Sequence, residues 1–483
     1  MSRIKMSKGV MVSALVLIVA NLFYAFYQHY HCILDGDLGG VTLPSSNYQR
    51  VLSDPFGLRA LLYHERNNVP NRFVVLYSTY AHFRTWPFFF QKFTDPISSV
   101  YLTSALAKTV WQLMYTYLIG VYVSGQFRIF NKYFILSALL LTPLFQNCGY
   151  VWDMGIIDPP ISYAFAYAFS TLLIGIFFLP FYLVTYHKMQ VRFGVVLSGL
   201  LMVLSWAIAF NGPISAPVMI LVCGFMWLEQ TRQRMQQHTG LPLIPRIITA
   251  IKSIPKPVIW IPAFAVAMSF YSFYIGKFNI EGFIQQISMA ERYQRLPGSI
   301  FKLFTTEGMG MLMIMIILNL LFLLPKRDNE TGKMIRLFIW IAIYGCIYML
   351  LLPLGGYRFY RPEIVRHDVM VPVIVPLIAF YVLSTYHLLQ NTPQSRYKLY
   401  LFLVLIPLCR YFIADKLYNQ FDNSCERQAM EFLAKSKEKT VLLPMDCSVM
   451  EWGKITDPAK SRNNTELMRA WGIIHEEKYY YQK

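Results

Sequence analysis

Charge is what this sequence has least of. Asp, Glu, Lys and Arg together fill only 14% of its 483 positions, against 55% hydrophobic and 16% aromatic residues. A water-soluble domain of that length would show more polar surface, so a polytopic membrane protein is implied. The cysteines also lack pattern. All seven stand outside any CxxC or Cys/His spacing suited to zinc, which argues against a metal-thiolate site. No GxSxG, Walker loop, HExxH or GxGxxG stands in a supporting context, so hydrolase, nucleotidase and dinucleotide chemistry have no footing. No internal repeat marks the inverted halves of a transporter.

Positive charge is the one excess, at a formal +18. The basic residues fall in short clusters between apolar runs rather than along one polar face, which favours topology signals and phosphate ligands over nucleic acid. Gly9 to Gln28 carries no charge and is long enough to cross about 30 Å of hydrocarbon. With no convincing cleavage site after it, this segment reads as a retained first transmembrane helix. Further apolar spans follow at 99–124, 133–146, 161–185, 195–211, 213–228, 258–276, 309–325, 337–353, 369–386 and 399–413. The expectation is an all-α polytopic membrane protein with about eleven transmembrane helices. Loops 147–160 and 211–213 contain no Lys or Arg, whereas alternate loops hold Arg128, Lys188, Arg246, Lys333 and Arg396. That bias places the N-terminus in the cytoplasm and the C-terminus outside.

Residues 1–413 form the expected membrane domain. Its large first outer loop, 29–98, mixes amphipathic runs with turns at Asp54-Pro55, Pro70-Asn71 and Asp95-Pro96, and reads as helices lying along the membrane surface. Residues 414–483 read as a small outward α/β domain, with a helical pattern from Cys425 to Lys435 and a strand-like Val441-Leu442-Leu443. It is too short to build much core alone and is expected to pack on the first outer loop. Cys425 and Cys447 are either a disulfide of an oxidising compartment or two solitary thiols.

Two patches carry candidate chemistry. LDGDLGG, just after the first helix, holds Asp35 and Asp37 among glycines. Such acids take a proton from a hydroxyl or share a divalent cation, or they form an ordinary Asp/Gly turn. The loop GGYRFYRPEIVRHD places Arg358, Arg361 and Arg366 on the side where short loops otherwise avoid basic residues. Guanidinium forks there suit a phosphate, or they pair with Glu363, Asp368 or lipid headgroups. Lys108 lies inside an apolar run, where an ammonium costs about 2.5–3.5 kcal/mol, so it is either functional or snorkelling to the surface. Asp153, His64, Glu65, His82 and Arg84 are further candidates for substrate or metal contact, against the commoner fate of solvated surface residues.

The layout, with these two patches, resembles the GT-C superfamily of polytopic glycosyltransferases. In length, large first outer loop and outward tail it is also similar to bacterial and phage O-antigen glucosyltransferases, without a shared motif. The resemblance implies a bacterial inner-membrane enzyme that moves a sugar from a polyprenyl-phosphate donor to a glycan, lipid or protein acceptor on the periplasmic face, with inversion. It assigns the base to Asp35 or Asp37 and the donor phosphate to Lys108 with Arg358, Arg361 and Arg366. No cofactor is assigned, and a divalent cation stays open as an aid to the phosphate. Membrane lipids are the remaining expected partners. The alternative reading is a transporter or flippase of a lipid-linked anionic precursor, and a non-enzymatic anchoring protein is the third.

Overall fold

The computed structural model describes residues 7–281, 287–326, 328–355, 363–418 and 421–483. These residues are mostly helical, and their only strands form a two-stranded sheet. Helices run through all eleven expected spans. Six are long and apolar enough to cross a membrane: Lys8–Tyr30, Ile161–Thr185, Lys256–Gly276, Asn329–Gly355, His367–Asn391 and Gln394–Ala414. A seventh is reached if Met289–Phe304 and Glu307–Leu323, bent by 77°, count as one. The other expected spans fall short for visible reasons. Lys132–Leu144 and Val195–Ala209 are apolar but short. Pro96–Ser124 has 29 residues but buries Ser99, Thr103, Ser104, Lys108 and Gln112 along its packed face. Ser215–Met235 turns polar in its last two turns.

Local chemistry sets these elements. Asp95 caps Pro96–Ser124 by accepting from Ser98 N at 2.9 Å, Pro96 occupies the first turn, and Gly125 ends the helix at φ 64°. This is the usual asymmetry of acid and proline at the start and glycine just past the end. Within Ile161–Thr185, residues Ala164–Phe169 widen into a π-helical turn. Asn211 Nδ2 donates to Ser170 Oγ at 2.8 Å beside it, and a side chain at Gly212 would collide with the Ala166 carbonyl.

One end of the bundle is covered by residues 29–98 together with the C-terminal tail. Asn423 N donates to His31 O at 2.8 Å, Gln91 Nε2 to Trp471 O at 2.8 Å, and Trp471 Nε1 to Phe83 O at 3.0 Å. The expected packing of tail on loop is therefore present. The tail's Met430, Leu433, Trp471 and Tyr480 join the same apolar cluster as the bundle's Tyr115 and Phe177, so its core is borrowed from the helices beneath it. The expected helix is Ser424–Lys435 and the expected strand is Thr440–Leu442, which pairs in parallel with Tyr479–Tyr481, Val441 opposite Tyr480. Cys425 and Cys447 are joined in a disulfide, with Cα atoms 6.3 Å apart.

Candidate functional site

A cavity of about 770 Å³ lies under this cover. Its polar lining comes largely from three separate stretches. Asp37 and Gly40 come from the short helix Asp37–Thr42, Arg72 and Thr79 from around the Phe73–Phe90 helix, and Glu451, Lys460, Asn463 and Asn464 from the tail. The bundle adds apolar lining: Pro213, Ile214, Ile220, Phe273, Leu351 and Leu354. Arg366, Glu363, Glu281, Tyr163 and the π-turn residue Tyr167 also line it.

The two acids of LDGDLGG part company here. Asp35 is 3% exposed and accepts from Ser162 N at 3.0 Å and Asp37 N at 3.1 Å, tying the loop to the start of Ile161–Thr185. Burial pushes its carboxyl above the ordinary aspartate range, against those hydrogen bonds. Asp37 is exposed on the cavity wall. Of the two acids left open as base, Asp37 therefore lines the cavity, while Asp35 lies outside its lining with each carboxylate oxygen already accepting a backbone N–H.

The glycines have a spatial cause. A side chain at Gly36 would meet the Trp452 ring at 2.8 Å and the Glu451 carboxylate, and one at Gly39 would meet Asn464 Oδ1 at 3.2 Å. Both glycines admit the tail. Trp452 Nε1 in turn donates to Asp37 Oδ1 at 3.4 Å, and its half-exposed ring lies 5.2 Å from that of Tyr163.

Among the phosphate candidates, Arg366 reaches the cavity. Its Nε and Nη2 donate to Asp368 at 3.0 and 2.8 Å, the pairing weighed as the plain alternative, yet its side chain still lines the wall. Next to it, His367 and the buried Asp158 approach to 2.5 Å, fixing this helix start to loop 147–160. Arg358 and Arg361 lie outside the described residues. Lys108 is corrected: it is fully buried, donates to the Pro159 carbonyl, and does not line the cavity. Its ammonium is turned to that carbonyl and not to the bundle surface.

The lesser candidates are dispersed. Asp153 accepts from Gly308 N at 2.9 Å at the start of Glu307–Leu323. Glu65 pairs with Arg50 at 3.1 Å, and His64 ends the Leu58–Tyr63 helix with its ring edge-on to Phe278. His82 Nε2 meets Thr103 O at 3.0 Å, and Arg84 faces a different cleft. None of the five lines the cavity. Among the described residues no group of three or more His, Cys, Asp or Glu is placed to hold a metal ion.

Sequence reasoning missed Glu451, Trp452, Lys460, Arg72 and Glu426. Glu426, next to Cys425, is 1% exposed and ties three stretches together. It accepts from Leu34 N at 3.0 Å, Tyr101 OH at 2.7 Å and Met450 N at 2.7 Å. Burial outweighs these bonds and pushes its carboxyl up to about 7. The one available signal was the expected docking of the tail on the first loop, which pointed to the tail as a source of site residues. No protein-family model matches the chain and no curated protein matches it. Its class rests on its own architecture: a mostly helical chain with several membrane-length apolar helices and a half-polar, half-apolar cavity at one end.

Proposed function

We propose that the protein is a multi-pass membrane glycosyltransferase that moves a sugar from a polyprenyl-phosphate donor to an envelope glycan or lipid. The observation that carries this reading is that one cavity is lined both by the charged residues Asp37, Arg72 and Arg366 and by the apolar bundle residues Pro213, Ile214, Ile220, Phe273, Leu351 and Leu354. A lipid phosphate has the same two parts. Phe273, Leu351 and Leu354 line the cavity and are 42%, 38% and 56% exposed, apolar surface against which the chain of a lipid donor would lie.

In this reading Asp37 takes the proton of the acceptor hydroxyl as its oxygen attacks the anomeric carbon. The bond from that carbon to the donor phosphate oxygen breaks, and Arg72 and Arg366, with Arg358 and Arg361, stabilise the charge left on the leaving phosphate. Trp452 Nε1 donates to the Asp37 carboxylate. The finer topology belongs to the same proposal: about eleven crossings of a bacterial plasma membrane, the N-terminus cytoplasmic, and 29–98 with the tail periplasmic. The Cys425–Cys447 disulfide supports an oxidising compartment for the tail.

The test uses full-length protein in lipid nanodiscs with polyprenyl-phosphate glucose as probe. Expected are donor binding weakened by Arg366→Ala, and release of polyprenyl phosphate when envelope glycans are added. Donor that fails to bind wild-type protein, or binds the Arg366→Ala protein equally well, overturns the reading.

A further inference from the structure

A second cleft, of about 860 Å³, lies on the far side of the cavity's polar wall. The two share their partition. Val41, Thr79 and Asn463 face the cavity, while Leu43, Tyr80 and Arg469, from the same three stretches of chain, face the cleft. The cleft is basic. Arg84, from the Phe73–Phe90 helix, and Arg469, from Arg462–Ala470, both line it. Among the described residues neither enters an ion pair, and the cleft's carboxylate, Glu466, is already bound by Arg462 Nε at 2.8 Å.

It also offers an aromatic face. Tyr77 stacks on Phe73 with ring centroids 5.4 Å apart and is itself 51% exposed in the cleft. Two guanidinium forks on separate helices suit carboxylate or phosphate groups spaced along one ligand. An exposed tyrosine face suits a flat ligand with both C–H and hydroxyl edges. We propose that this cleft binds an acidic saccharide, its anionic groups held by Arg84 and Arg469 and a sugar ring laid on Tyr77. Binding stands on the cleft alone. Its role as the berth of an anionic glycan acceptor rests on the transferase reading of the cavity behind the shared wall.

The experiment measures binding by calorimetry to full-length protein in phosphatidylcholine nanodiscs, with a short oligogalacturonate and a malto-oligosaccharide of equal length as probes. The acidic oligomer is expected to bind, more weakly as ionic strength rises, and the neutral one is not. Arg84→Ala and Arg469→Ala each weaken binding by about tenfold or more, a loss of one charge-assisted contact, and Arg84→Lys falls between. Both positions are exposed, so the variants fold. Asp37→Asn leaves the affinity unchanged. No binding to wild type, equal binding of the neutral oligomer, or unchanged affinity in both alanine variants overturns the proposal. So does displacement of the acidic oligomer by soluble glycerophosphoglycerol at equal concentration, which assigns the cleft to a lipid headgroup. Donor-lipid affinity is read separately, so either site's assignment can fail alone.

Discussion

Charged residues fall into two populations at this end of the molecule, one behind the cavity wall and one on it. Behind the wall, Asp35, Lys108, Asp158 and Glu426 are 3%, 0%, 0% and 1% exposed, and each is spent on holding chain segments together. On the wall, Asp37, Arg366 and Glu451 face open volume. Both populations look equally conspicuous in an apolar sequence. Rarity marks where a charge was worth keeping, and only access to the cavity tells whether the reason is chemistry or architecture.

Exchanging roles across that boundary gives the largest expected effect. Asp37→Asn lowers transfer by roughly 10²–10⁴, the usual contribution of a positioned base, with thermal stability unchanged. Asp35→Asn and Lys108→Ala do the opposite: each costs about 1–3 kcal/mol of stability by stranding buried partners, while the folded fraction binds donor normally. Thermal unfolding and donor binding on the same preparations separate the two. A stable but inactive Asp35→Asn protein would erase the distinction.

Some of this was legible beforehand. The expected spans coincide with helices because apolar runs of that length have few other structures open to them. The strand at Val441 and the helix after Cys425 follow from period and propensity. The choice between Asp35 and Asp37 was not legible, because two acids separated by one glycine share every local signal and differ only in what folds against them. Trp452 stands 415 residues from Asp37, so no local pattern joins them. Lys108 misled for a related reason: the cost of burying an ammonium is the same whether a carbonyl or a ligand receives it.

Two smaller effects sharpen the comparison. Glu426 has its folded value raised to about 7 from 4.5. Its protonated form is therefore favoured by the fold, and the stability it contributes is full below 4.5 and is lost as pH rises through about 7. The unfolding temperature should fall over that window and then level, and Glu426→Gln should reduce the slope. Trp452→Phe removes one hydrogen bond to Asp37 and should reduce turnover by about 0.5–1.5 kcal/mol of activation free energy without changing donor affinity. An unaltered rate would leave Trp452 as a packing residue.

The division of the polar wall between early and late parts of the chain bears on how the protein matures. Asp37 is synthesised almost at once, but Glu451, Trp452, Asn463 and Asn464 leave the ribosome only after every helix of the bundle has been made. Between synthesis of the first helix and folding of the tail, the acid faces half a wall. The Cys425–Cys447 bridge spans 22 residues just before the Glu451-Trp452 pair. Its oxidation is thus placed to make completion of the cavity wall one of the last events in the protein's biogenesis, after the helices of the bundle have been made.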